Sequence, residues 1–143
     1  MAYLAIDLGA ESGRAVLGWW DGARLQLREI HRFPNRPVSI GGTLYWDVFF
    51  LFAEIQQSLQ KAQAESPEPV ESVGVDTWGV DFALLDSQGR LLSAPVHYRD
   101  RRTEGMMECV LAQIPRETLY ERTGIQFMPI NTLYQLYSMV VQN

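Results

Sequence analysis

The 143-residue chain is 47% apolar, enough for one domain with a hydrophobic core over residues 1–143, and its formal charge of -5 speaks against a nucleic-acid partner, which demands a basic surface to displace counterions from phosphates. Cys109 is alone, which excludes an internal disulfide or a cysteine-based metal site, and His31 and His97 stand in no ligand-spaced cluster. The run 48-VFFLFA-53 is much too short to cross a bilayer and only a few apolar residues precede Asp7, so a cytoplasmic protein without membrane contact is expected.

Residues 2–8 read as a buried strand, and 14-RAVLGWW-20 as a second one after a tight turn. The pair 21-DG-22 signals a hairpin into 24-RLQLREIHRF-33, where Leu25, Leu27, Ile30 and Phe33 mark a half-buried, somewhat irregular strand. Three antiparallel strands in sequence are therefore expected. The prolines and glycines of 34-PNRPVSIGG-42 predict a loop. Asp47 then caps a helix whose apolar face is Val48, Leu51, Phe52, Ile55, Leu59 and Ala62. The stretch 66-SPEPVE-71 ends that helix, and 72-SVGVDTWG-79 is a strand whose polar end begins at Asp76. Next, 80-VDFALLDSQGRLLS-93 reads as a strand, a turn at 86-DSQG-89 and a return strand. The remainder is mostly helical, over 104–114, 116–122 and, after a turn at Gly124, 132–141. No stop signal follows in 138-SMVVQN-143, which reads as cut inside a helix.

Four stretches carry candidate chemistry. In 7-DLGAESGR-14, glycines at both ends of a turn let backbone amides approach an anion that larger side chains would block. Ser12 adds a hydroxyl and Arg14 a forked cation, while Asp7, which repels phosphate by itself, is placed to hold Mg2+ and so reverse the local sign. An ordinary hairpin turn with a surface salt bridge fits the same residues. Neither G-x-x-x-x-G-K-[ST] nor G-x-G-x-x-G occurs, which demotes a P-loop enzyme and a dinucleotide-binding domain. In 76-DTWGVDF-82 two carboxylates and an indole surround a glycine, a set suited to a sugar: carboxylates accept from hydroxyls, the aromatic face covers C–H surface, and Gly79 permits close backbone approach. The alternative is a core tryptophan beside a turn, with Asp81 paired to an arginine. In 97-HYRDRRT-103, Asp100 sits among arginines, where capping of a helix is the simpler reading; in 131-NTLYQL-136, Asn131 and Thr132 stand at a helix start, which capping explains.

Together with 26-QLREIHRF-33, 46-WD-47, 96-VHYRDRRT-103 and 124-GIQFMPINTLYQL-136, in that order, these stretches resemble the N-terminal part of the FGGY family of carbohydrate kinases. The resemblance covers essentially the whole chain. Its first motif is shared widely among sugar kinases. The combination of DTWGVDF with NTLYQL is more specific, and is similar to the branch that phosphorylates L-rhamnulose at its C1 hydroxyl. A kinase for another ketose or polyol (fuculose, xylulose, glycerol) and a non-catalytic actin- or Hsp70-like nucleotide-binding domain stand as alternatives.

The resemblance implies an α/β, ribonuclease-H-like domain of the actin, Hsp70 and sugar-kinase superfamily, with a mixed central sheet flanked by helices. It implies ATP as co-substrate, Mg2+, a small sugar as partner, and a C-terminal domain of the same chain absent from these residues. By motif match, Ala10, Glu11, Ser12, Gly13 and Arg14 would form the phosphate-facing loop, Asp7 would serve Mg2+, and Gly79 would line the sugar pocket with Trp78, Asp81 and Asp100 nearby. The family's base, an aspartate, falls beyond Asn143, so no catalytic base is assigned and the fragment alone is expected to be inactive. Glu11 stands where the family more often has a small residue. Another negative charge beside phosphate requires Glu11 to turn outward or act through the metal.

Overall fold

The computed structural model describes residues 1–142, which divide into two compact units: Met1–Pro37 with Asp47–Gly79, and Val38–Trp46 with the chain from Val80 onward. In the first unit, β1 (Ala2–Leu8), β2 (Ser12–Trp20), β3 (Leu25–Pro34) and β6 (Val70–Thr77) form a four-stranded sheet in the order β3-β2-β1-β6. The first three strands pair antiparallel as expected, and β6 returns parallel to β1. A parallel return needs a long crossover, which the helix α1 (Val48–Glu65) supplies.

Strand alternation decides what reaches the core. Along β1, Ala2, Leu4, Ile6 and Leu8 are buried while the residues between them are not. In β3 the alternation changes phase: Ala15 pairs with His31 and Val16 with Glu29, so Ile30 is an extra residue and a bulge. Consequently Ile30 and Phe33 face the core, whereas Leu25 and Leu27, expected to be half-buried, lie exposed on the outer face. Asp47 caps α1, its Oδ1 accepting from the Phe50 amide at 3.0 Å. The helix buries Leu51, Ser58 and Ala62 and packs Ile55 and Phe50 against the same core. Phe52 and Leu59, expected on that face, are exposed, because the stripe runs through Ser58, whose hydroxyl is satisfied by the Glu54 carbonyl at 2.7 Å. His31 serves structure, its Nε2 meeting the Glu54 carboxylate and its Nδ1 lying 2.8 Å from the Lys61 ammonium.

In the second unit the stretch expected as a loop holds a small hairpin, β4 (Val38–Ile40) and β5 (Thr43–Tyr45). Its turn uses Gly41 and Gly42 at φ 60° and 88°, the positive pair that a tight two-residue turn requires. The strand and return strand expected over 80–93 reduce to one bridge, Leu85 with Leu91, around a turn tied by Asp86. Leu84, Leu85, Leu91 and Leu92 remain exposed, so no buried face extends the pairing. The helix expected over 104–114 is shorter, α2 (Met106–Leu111), and a 3₁₀ turn, Arg101–Thr103, precedes it. Gly105 at φ 75° separates them, a conformation no α-helix passes through. α3 (Arg116–Thr123) and α4 (Thr132–Val141) stand as expected, and Val110, Leu119 and Tyr134 form the core they share with α2.

Candidate functional site

β1 ends at Leu8 and β2 begins at Ser12, so the connection is the short turn Gly9–Ala10–Glu11 and the next residues, Ser12 to Arg14, are already strand. The Gly9 amide donates to the Ser12 carbonyl at 3.0 Å, and a Cβ on Gly9 would stand 2.9 Å from that oxygen. Turn tightness therefore requires this glycine. The Asn35 side chain donates to the Gly9 carbonyl at 2.8 Å and the Asn35 amide to the Glu11 carbonyl at 2.9 Å. Among the described residues, the amides of Ala10 and Glu11 have no protein acceptor. Glu11 is exposed.

Gly13 has a different reason to be glycine. It is buried, and a Cβ there would lie 2.2 Å from the ring of Phe33, its register partner on β3. Arg14 and Asp7 face each other across β1 and β2, with Nε and Nη2 at 2.9 and 2.8 Å from Asp7 Oδ2. This is the surface salt bridge of the plainer reading. On the other side Asp7 has Asp76 as its register partner in β6, so two carboxylates and one guanidinium share a row across three strands.

Because β1 and β6 run parallel with Leu8 opposite Thr77, the residues Trp78 and Gly79 leave the same sheet edge as the Gly9 turn. The carboxyl ends of parallel strands are where open α/β sheets take ligands. Trp78 packs, half-buried, against the apolar core, as its alternative reading holds. Gly79 is exposed; no atom lies within 4 Å of where its Cβ would be, and its φ is not positive. Neither packing nor backbone strain accounts for that glycine.

Asp81 and Asp100 belong to the second unit. The Asp81 carboxylate accepts from the Trp46 indole, from Gln135 Nε2 at 3.0 Å and from the Tyr98 amide at 3.3 Å. Asp100 is buried, with Oδ2 accepting from the Leu44 amide at 2.7 Å and Oδ1 from the Arg102 amide at 2.9 Å, which caps the 3₁₀ turn. Arg102 Nη2 reaches Gln135 Oε1 at 2.7 Å, and Gln135 Nε2 also meets the carbonyls of Val80 and Ile130. Burial pushes the pKa of Arg102 down, against the pull of Asp100 and Asp81. His97 stacks on Trp46 with ring centroids 3.9 Å apart, and burial lowers its pKa below the ordinary 6.5. Sequence reasoning missed Trp46, His97, Arg102 and Gln135 as one polar network; the i, i+3 spacing of Thr132 and Gln135, both bonded to the Val80 carbonyl, was the available signal. Asn131 stands at the N-cap of α4 but makes no side-chain cap, its Nδ2 donating to the Gln126 carbonyl instead.

Among the described residues, no group of three His, Cys, Asp or Glu side chains is placed to hold a metal ion by itself, and no helix is long and apolar enough to cross a membrane.

Residues 2–140 match the model of the FGGY family of carbohydrate kinases, N-terminal domain. A rhamnulokinase of Halalkalibacterium halodurans is 49% identical over 140 residues, covering 98% of this chain and 30% of that protein. Rhamnulokinases of Klebsiella pneumoniae strain 342 and Bacteroides thetaiotaomicron are 48% and 46% identical, covering 97% and 94% of this chain and 29% and 27% of those proteins. This chain thus spans about 30% of the length of the curated relatives it matches. Among solved structures, a gluconate kinase from Lactobacillus acidophilus superposes at TM-score 0.82 with 13% identity, over 99% of this chain and 28% of that one. A Plasmodium falciparum glycerol kinase with ADP superposes at 0.74, also with 13% identity, over 99% of this chain and 29% of that one. These likenesses show the fold, the ribonuclease-H-like mixed sheet expected from sequence. With its family model matched almost end to end, the chain belongs to the FGGY family of carbohydrate kinases and corresponds to that family's N-terminal domain.

Proposed function

We propose that these residues are the N-terminal part of an enzyme that transfers the γ-phosphoryl group of ATP to the C1 hydroxyl of L-rhamnulose. The observation that carries this reading is identity of 44–49% to rhamnulokinases along 98% of the chain. The sheet-edge geometry supports it. Phosphoryl transfer needs in-line placement and compensation of oxygen charge more than covalent help from protein. Ala10 and Glu11 supply amide donors, Ser12 a hydroxyl and Gly13 the close strand contact that ends the loop. Arg14, paired with Asp7 here, is a guanidinium within reach of the same edge.

Mg2+ is commonly held by one or two carboxylates together with phosphate oxygens, and Asp7 with Asp76 in the next strand is a donor set of that kind. When bound, the ion would neutralise charge on the phosphates; Asp7 would hold it, in exchange for its bond to Arg14. Gly79, open on its Cβ side, lines the sugar site, with Trp78 beside it. Asp81 and Asp100 spend carboxylate oxygens on Trp46, Gln135 and backbone amides, so they shape the loops of the second unit. The base for the attacking hydroxyl is an aspartate outside residues 1–143.

Phosphorylation of L-rhamnulose, fuculose, xylulose and glycerol by the full-length enzyme, before and after Gly79→Trp, tests the reading. L-rhamnulose should give the highest kcat/KM, and the indole should raise its KM at least about tenfold with little change in stability. A higher kcat/KM for another substrate, or an unaffected KM in the variant, would refute it.

A further inference from the structure

We propose that Asn35 is a positioning residue that sets the Gly9–Ala10–Glu11 turn so that its amides are available to phosphate oxygens; this rests on the nucleotide reading of that turn. Asn35 is only 3% exposed and follows Pro34, the β3 residue paired with Ser12 at the start of β2. It makes two bonds to the turn from one place, its Nδ2 to the Gly9 carbonyl at 2.8 Å and its own amide to the Glu11 carbonyl at 2.9 Å. With the Gly9 amide on the Ser12 carbonyl at 3.0 Å, the carbonyls of residues 9, 11 and 12 are all engaged by protein donors.

The consequence is electrostatic. Carbonyl oxygens repel a phosphate and amides attract it, so a turn of this length serves an anion only if its carbonyls are turned into the protein. Asn35 supplies donors to two of them and leaves the amides of Ala10 and Glu11 without a protein acceptor. The amide side chain is the chemistry required. A carboxylate of the same shape would set an oxygen against the Gly9 carbonyl, and an apolar side chain would leave that carbonyl without its donor.

The test compares Asn35→Ala and Asn35→Asp with the wild type in the full-length enzyme. Hydrogen exchange at the Gly9 amide, a donor within the turn, reports the turn without any nucleotide; steady-state kinetics report KM for ATP and for sugar separately. Both variants should exchange at Gly9 at least about tenfold faster and show KM for ATP raised about tenfold, with kcat and sugar KM within about twofold. In Asn35→Asp both effects should shrink as pH falls, because the protonated acid again donates to the Gly9 carbonyl; Asn35→Ala should show no such recovery. Unchanged exchange at Gly9 overturns the proposal, and so does faster exchange with KM for ATP unaltered. A wild-type enzyme with no affinity for ATP refutes the nucleotide reading, while faster exchange at Gly9 in its two Asn35 variants upholds Asn35 as the anchor of the turn.

Discussion

Phe33 lays its ring over Gly13, where a Cβ would stand 2.2 Å from both Cε2 and Cζ. An aromatic ring held in a packed core gives way poorly, so Gly13→Ala should cost about 1–3 kcal/mol of stability by overpacking. Urea unfolding of Gly13→Ala and of Gly13→Ala combined with Phe33→Leu checks this: the second change should recover part of the loss, and equal loss in both would show that the ring is not the cause. His97 makes a pH prediction. Its pKa is lowered chiefly by burial, against the pull of Asp81 and with a further push from Arg99, and its Nδ1 accepts from the Arg99 amide at 2.9 Å, which requires the neutral ring. The unfolded chain takes up this proton near 6.5 and the folded chain only at lower pH. The contribution is therefore complete above 6.5 and is lost as pH falls from there through the folded value. Between about pH 7.5 and about pH 5.5 the wild type should lose more stability than His97→Gln, and identical pH dependence would rule the effect out.

At the scale of elements, short-range connections were settled by single residues with long-range partners. The hairpin β4–β5 and the 3₁₀ turn are joined by Asp100, whose two oxygens accept from the amides of Leu44 and Arg102. Hydrogen bonds to a charged acceptor are the stronger kind, and losing both leaves two donors unpaired. Asp100→Ala should thus cost about 2–4 kcal/mol, with Asp100→Asn intermediate because it keeps one acceptor oxygen. Thermal unfolding of the two variants measures it; a change within about 0.5 kcal/mol for the alanine would mean that water replaces the carboxylate. In β3 the bulge at Ile30 accomplishes the phase change that brings Ile30 and Phe33 to the core while Leu25 and Leu27 go to the other face. Regular alternation would have put Phe33 on the face of Leu25 and Leu27, and Ile30 on the other.

Over the whole first unit, the sheet face opposite α1 carries an open apolar depression of about 650 Å³, lined by Tyr3, Val16, Leu25, Leu27 and Val75 among others. A contiguous exposed apolar surface binds hydrophobic dyes and promotes association. The isolated 143-residue chain should bind such a dye and release no ADP from ATP with L-rhamnulose in a coupled assay. Robust turnover would place the base within these residues, against the reading given above.

The amino-acid sequence by itself determined the three-strand opening, the Asp47 cap, the glycine turn after β1, most helices and the family, because alternation, helical spacing, capping and motif order are local patterns. It left open which glycine serves a tight turn and which makes room for a ring, which leucines of β3 reach the core, and which distant donors the carboxylates of Asp81 and Asp100 engage. Those outcomes depend on partners far along the chain, as Asn35 is 26 residues from Gly9 and Asp100 is 56 from Leu44. Only folding brings such groups within hydrogen-bonding distance, and a periodicity of two to four residues carries no record of it.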